Sequence, residues 1–328
     1  MIISCNGWRQ PQRRRHIILA GFALLVVVVT IHIGARVHGA TTRPSEVIVV
    51  SSSASQPYQQ VVEGFWKLIR QKWPKSRGVT YYLGADPKQN RQIMEEVASR
   101  QPDIFFTLGS KASQAIQAMH PQRPVVVTMV LDRGLLAATD QTTGVSLQFP
   151  ARVHLRLLKR ILPEVRHVHV LYDPAENVDM LARLKNEAAA FGVEIRGLAV
   201  ESVTQLPAAL KVVERQAEML LGLADRTVYS GKTAKAVLLS TFRNRIPFAG
   251  LSRSWVKAGA LYALERDYRD LGRQCGEMAD RILAGTPVAD IPPTSPERVR
   301  YVVNVRTAQH LRLSLRQAII DGAAEVFE

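Results

Sequence analysis

HVHVLYDPAENVDMLARLKNEAAAFGVEIRGLAV, residues 167–200, decides the fold class. His167–Asp173 reads as a buried strand and Glu176–Phe191 as a helix that stops at Gly192, the residue type a helix C-terminus favours. A second strand follows at once in VEIRGLAV, residues 193–200. Strand, helix and strand in so short a span make a unit of a parallel sheet with helices on its faces.

The same grammar extends in both directions. Downstream come a helix near Val203–Gln216, the strand Ala217–Leu223, a helix near Thr233–Arg243, and the strands Ile246–Ser252 and Ala260–Glu265. Upstream, EVIVVS (Glu46–Ser51) is a buried strand. The helix after it, near Tyr58–Lys72, places Val61, Val62, Phe65, Leu68 and Ile69 on one face. The strand Val79–Leu83, a helix over Pro87–Ser99, the strand Asp103–Gly109, a helix over Ser110–Met119 and the strand Pro124–Val130 complete that series. The reading is α/β, with two Rossmann-like lobes built on parallel sheets, and 328 residues suit two lobes better than one core. TDQTTGVSLQFP (Thr139–Pro150) reads as a connection between the series. GTPVADIPPTSPERV (Gly285–Val299) holds four prolines and must be largely extended. After it come a strand, Arg300–Val305, and a final helix, Thr307–Ile320.

At the N-terminus, Arg13, Arg14 and Arg15 precede the apolar block IILAGFALLVVVVTIHIG (residues 17–34), and the small-residue stretch ARVHGA follows. These are the parts of an export signal, so the chain is expected in the periplasm. Residues 1–40 are either cleaved near Gly39 or Ala40 or retained, with residues 17–34 as an inner-membrane tether. No cysteine ends the block to carry a lipid; Cys5 precedes it, and Cys275 stands alone after it. The formal charge of +15 owes five arginines to the first 40 residues, and the rest of the chain carries +10 scattered among acids. Such a distribution suits anionic surroundings and excludes a nucleic-acid stripe.

Catalytic patterns are weak. Ser254 and Lys257 match S-x-x-K without its companion motifs. Gly231-Lys232-Thr233 resembles the end of a phosphate loop, but Arg226 stands where the first glycine is required. His167 and His169 share one strand face with no third metal ligand in sight. Neither an enzymatic activity, a metal nor a cofactor is expected. The informative residues gather instead where strands end, at the edge on which open α/β sheets bind ligands. They are Ser52, Ser53, Gln56 and Tyr58 after the first strand, and Gly109 and Ser110 after the third. The second series adds Tyr172, Asp173, Asp225, Ser252, Asp267 and Tyr268. Helix N-termini suit a carboxylate, acids an ammonium group and tyrosines an apolar body, which together describe an amino-acid-like ligand. Asp and Ser at such junctions are equally what a helix cap needs.

Four segments carry a family resemblance: TTGVSL (142–147), LLKRILPEVRHVHVLYDP (157–174), GLADRTVYS (222–230) and, above all, DYRDLGRQCGEMADRILAGTPVADIP (267–292). Over residues 45–312 the chain resembles the ABC-transporter substrate-binding protein family of the type I periplasmic-binding fold. That resemblance implies a non-enzymatic monomer that closes two lobes over a small polar ligand and delivers it to an inner-membrane permease complex. It also implies lobe 1 from residues 45–143 plus 268–292, and lobe 2 from residues 144–267 plus 293–328. Gln56, Tyr58, Ser110, Asp173, Asp225 and Asp267 would line the cleft. Lys111, Arg226 and Lys232 depart from the family pattern by adding positive charge at its mouth, which favours either an acidic ligand or a role other than import. The alternative reading is a membrane-tethered sensor or adaptor domain on the same fold.

Overall fold

The computed structural model describes residues 45–119 and 121–328. The export segment read at residues 1–40 lies outside the described residues. The first sheet is parallel, in the order β2-β1-β3-β4-β5: β1 (Glu46–Ser51), β2 (Arg77–Tyr82), β3 (Ile104–Leu108), β4 (Val125–Thr128) and β5 (Thr142–Val145). Val47, Ile48, Val49 and Val50 of β1 are all fully buried, because helices cover both faces of the sheet. Those of this series are α1 (Gln56–Lys72), α2 (Pro87–Ser99) and α3 (Ser110–Gln117).

The chain then passes through residues 146–150 into α4 (Ala151–Ile161) and a second sheet. Its strands are β6 (His167–Tyr172), β7 (Glu194–Ala199), β8 (Met219–Leu221), β9 (Phe248–Gly250), β10 (Tyr262–Arg266), β11 (Val299–Asn304) and β12 (Glu325–Phe327), in the order β12-β11-β10-β9-β8-β6-β7. Only the β10–β11 pairing among these is antiparallel. The helices are α5 (Pro174–Ala188), α6 (Leu206–Gln216), α7 (Ala234–Arg243), α8 (Arg253–Lys257), α9 (Tyr268–Leu283), α10 (Val305–His310) and α11 (Gln317–Asp321).

Helix α9 leaves the second sheet and lies against α1. The two approach backbone to backbone: a Cβ on Gly64 would fall 2.0 Å from the Arg269 carbonyl oxygen, and one on Gly272 would fall 2.0 Å from that of Val61. Cys275, Met278 and Ala279 of α9 enter the first core beside Val47 and Phe106, and the Trp73 indole donates to Asp280 Oδ1 at 2.8 Å. From α9 the proline-rich segment returns along β5, where Thr294 bonds Gly144 and Ser146 backbone groups at 3.0 Å each, and enters β11. Residues 146–150, the β10–α9 junction and residues 294–298 thus link the lobes.

Two expectations differ from this architecture. TTGV, read as part of a connection, is the fifth strand of the first sheet, and Thr142 and Thr143 are buried there with hydroxyls bonded to Thr139 and the Ile291 carbonyl. The final helix breaks in two, because Leu313 and Leu315 alternate against the second core and Arg312 takes a left-handed φ of 56°. Beyond α11 the chain adds β12, which pairs with β11.

Candidate functional site

At the first lobe's ligand edge the chain packs its turns closely. The Ser52 hydroxyl accepts from the Ala112 N–H at 2.9 Å, which fixes the start of α3 beside the end of β1. Gly109 precedes α3 with φ 88°, and a Cβ there would meet Ser52 Oγ at 2.7 Å and the Tyr58 hydroxyl at 2.9 Å. Ser52, Tyr58 and Gly109 therefore meet at one point. Ser53 holds the turn through Ser51 and Ser55, while Gln56 and Ser110 stand exposed at the first positions of α1 and α3. Tyr58 also faces Tyr268 of α9; burial and that neighbour raise its pKa.

In the second lobe the acids bind their own loops. Asp225, 6% exposed, accepts from the Asp173 N–H at 2.6 Å and the Asn177 amide at 3.1 Å with one oxygen. Its other oxygen accepts from the N–H groups of Thr227 and Val228 at 2.9 and 2.8 Å. Asp173 caps α5 through Ala175 and accepts from the Thr227 hydroxyl at 2.6 Å. Arg226 pairs with Glu176 at 2.7 Å. Tyr172 packs on the core of its own lobe, where a Cβ on Gly197 would lie 3.2 Å from its ring. Ser252 precedes α8 and bonds Ser254 at 2.8 Å. Asp267 caps α9 through Asp270 and receives Arg300 at 2.6 Å.

Where the lobes meet, a pocket of ≈ 60 Å³ opens at the ends of β8, β9 and β10. Leu131 comes from the first lobe and Gln148 and Phe149 from the first link. The second lobe supplies His154, Asn177, Met180, Leu223, Leu251, Leu264 and Arg266. The Arg266 guanidinium lies 4.5 Å from the Phe149 ring centroid and donates to the Leu147 carbonyl at 2.9 and 2.7 Å. It makes no ion pair among the described residues, and burial lowers its pKa. His154 meets Phe149 edge-on at 6.0 Å. Burial, then the nearby Arg266 charge, brings its pKa down to about 4, so the ring is neutral at pH 7. Asn177 is fixed by the Ala224 carbonyl at 2.9 Å.

None of the twelve residues expected at the ligand edge lines this pocket, although Asp225 and Asp267 adjoin its walls at Ala224 and Arg266. Phe149, His154, Asn177 and Arg266 escaped the sequence reading. Arg266 stands immediately before Asp267 and Tyr268 but was not singled out; Phe149 lay in the stretch read as a connection, Thr139–Pro150, and His154 in the unassigned residues just after it. On β6, His169 is buried and His167 binds Glu218 at 2.6 Å, and no group of three metal-ligating side chains occurs among the described residues.

Residues 83–327 match the family model described as ABC transporter substrate binding protein. The chain belongs to this family. A tyrosine-binding protein of Clostridioides difficile (strain R20291) is 22% identical over 235 residues, covering 69% of this chain and 68% of that protein. Two solved structures share the fold of this substrate-binding protein. An ABC domain from Streptococcus pneumoniae in complex with L-Trp superposes with a TM-score of 0.62 at 20% identity, over 87% of this chain and 100% of its own. A ligand-free, open substrate-binding protein with adhesive properties from Clostridium difficile superposes at 0.71 and 21%, over 86% and 99%. The two-lobed type I periplasmic-binding fold is thereby established for this family member. Among its described residues no helix is long and apolar enough to cross a membrane.

Proposed function

We propose that this chain is the extracytoplasmic solute-binding component of an ABC-type import system. It captures a small molecule with a carboxylate and an apolar, amino-acid-like body between its lobes and passes it to an inner-membrane permease. The observation that carries the reading is Arg266: a cation without a carboxylate partner among the described residues, laid on Phe149 in the inter-lobe pocket. Arg266 is half-buried and its guanidinium donates to the Leu147 carbonyl, a neutral acceptor, so the site can take an anion from outside the chain. Phe149, Met180, Leu223 and Leu264 offer the apolar wall for the rest of the ligand. The relatives that bind tyrosine or carry L-Trp support the same ligand chemistry.

In this reading Ser53, Gln56, Gly109 and Ser110 approach the ligand from the first lobe, with Tyr58 and Tyr268 at the junction and Tyr172 and Ser252 at the margin of the second. Asp173, Asp225 and Asp267 act by positioning, since their oxygens hold the loops that carry Asn177, Ala224 and α9. Closure is favoured because a ligand that touches both lobes binds the closed state better than the open one.

Isothermal titration against the twenty amino acids tests this. At least one, with tyrosine and tryptophan first in expectation, binds at micromolar concentration, and Arg266→Gln weakens it by about tenfold or more, the value of a charge-assisted bond. Binding of no amino acid below millimolar concentration contradicts the ligand class.

A further inference from the structure

A second and larger cavity, ≈ 630 Å³, runs beside the lobe junction. One face of α1, the first turns of α9 and the start of β11 enclose it. Its volume lies within the range of small-molecule sites, about 300–1,000 Å³. Arg266 is the wall it shares with the inter-lobe pocket.

The charge of this groove is unbalanced. Six cations line it, Lys67, Arg266, Arg269, Arg273, Arg298 and Arg300, against three carboxylates. Arg269 takes Glu63 at 2.8 Å, Arg273 takes Asp270 at 2.7 Å and Arg300 takes Asp267 at 2.6 Å. Arg273 also holds Glu277 and Glu297, which do not line the groove. Those pairs occupy all three lining carboxylates. Arg298, 71% exposed, is left with a 3.3 Å approach to the Asp270 oxygen that Arg273 already binds; Lys67 and Arg266 have no ion pair among the described residues.

A concave site lined by six cations and three carboxylates, with Arg266 shared with the inter-lobe pocket, fits an oxyanion that presents several oxygens at once. We infer that this lateral groove is a second binding site, distinct from the inter-lobe pocket, for a small polyanion bearing phosphate or carboxylate groups. Lys67, without an ion pair among the described residues, and Arg298, which shares the Asp270 oxygen already bound by Arg273, supply the available charges at its rim, and the arginines held by Asp267 and Asp270 are pre-oriented on α9 and β11 to share their remaining N–H donors.

Titration calorimetry of the whole protein at low ionic strength with inorganic pyrophosphate, and separately with citrate, tests the site. At least one binds with a Kd below about 1 mM, and the arm that binds more tightly identifies phosphate or carboxylate as the preferred group. The double variant Lys67→Ala/Arg298→Ala weakens that binding by about tenfold or more. A control pair, Arg183→Ala/Lys185→Ala on α5, leaves it unchanged. Binding of neither probe, or equal affinity in the groove variant and the wild type, overturns the site. No cleft ligand enters these titrations, so their failure leaves the amino-acid reading standing, and a failed amino-acid panel leaves the groove standing.

Discussion

The Asp225 carboxylate takes four donors, three from backbone and one from Asn177, and so ties the loops after β6 and β8 into one unit. Truncation takes the acceptor from three backbone N–H groups, while the Asn177 amide keeps the Ala224 carbonyl, and a buried donor without an acceptor costs about 1–3 kcal/mol. Asp225→Ala is therefore expected to lose about 3 kcal/mol of stability in urea unfolding. Asp225→Asn, which keeps one acceptor oxygen, loses less. An unchanged midpoint in the alanine variant would contradict this structural role and make direct ligand contact the better account of the residue. A strand-ending aspartate looks the same in sequence whether it caps a loop or faces a ligand. Only the four donor distances separate the two, which is why Asp173 and Asp225 were legible as important residues but not in their role. Arg266 stood at a strand end beside Asp267, yet its role was not legible for the opposite reason: its meaning lies in having no carboxylate ion pair among the described residues, and partners are set by the fold.

Helices α1 and α9 depend on Gly64 and Gly272 for their close approach. A methyl group at residue 272 would lie 2.0 Å from the Val61 oxygen and 2.8 Å from the Phe65 nitrogen, so the helices must part and reopen the core around Cys275. Gly272→Ala is expected to lower the thermal midpoint by an amount equivalent to about 1–3 kcal/mol, the usual cost of overpacking. A midpoint within error of wild type would show that the pair tolerates separation. The long elements were legible because their periodicity repeats: α5 begins after Asp173 and ends before Gly192, with Met180, Leu181 and Leu184 buried as the pattern requires. The short ones were not. Four residues of β5 and three of β12 carry too little pattern, and pairing with β4 and β11 decides them. Residues 307–320 look helical by composition, but Leu313 and Leu315, half-buried against the second core, and the left-handed Arg312 between the two short helices break the run.

Across the whole molecule, two sheets joined by three links create a pocket whose walls come from both lobes and from the link residue Phe149. The architecture followed from alternating strands and helices, together with the family resemblance of residues 267–292. The chemistry of the pocket did not, because its lining is assembled from residues between 131 and 266 that share no motif. Ligand capture in this account turns on one interaction, a ligand carboxylate neutralising Arg266 above Phe149. The most direct measurement is a pair of titrations on the wild-type protein: the tightest-binding amino acid of the panel, and the amine left when its carboxylate is removed. The account predicts that the amine binds at least about a hundredfold more weakly, since it leaves the guanidinium without its charged partner; equal affinity for the two would contradict it.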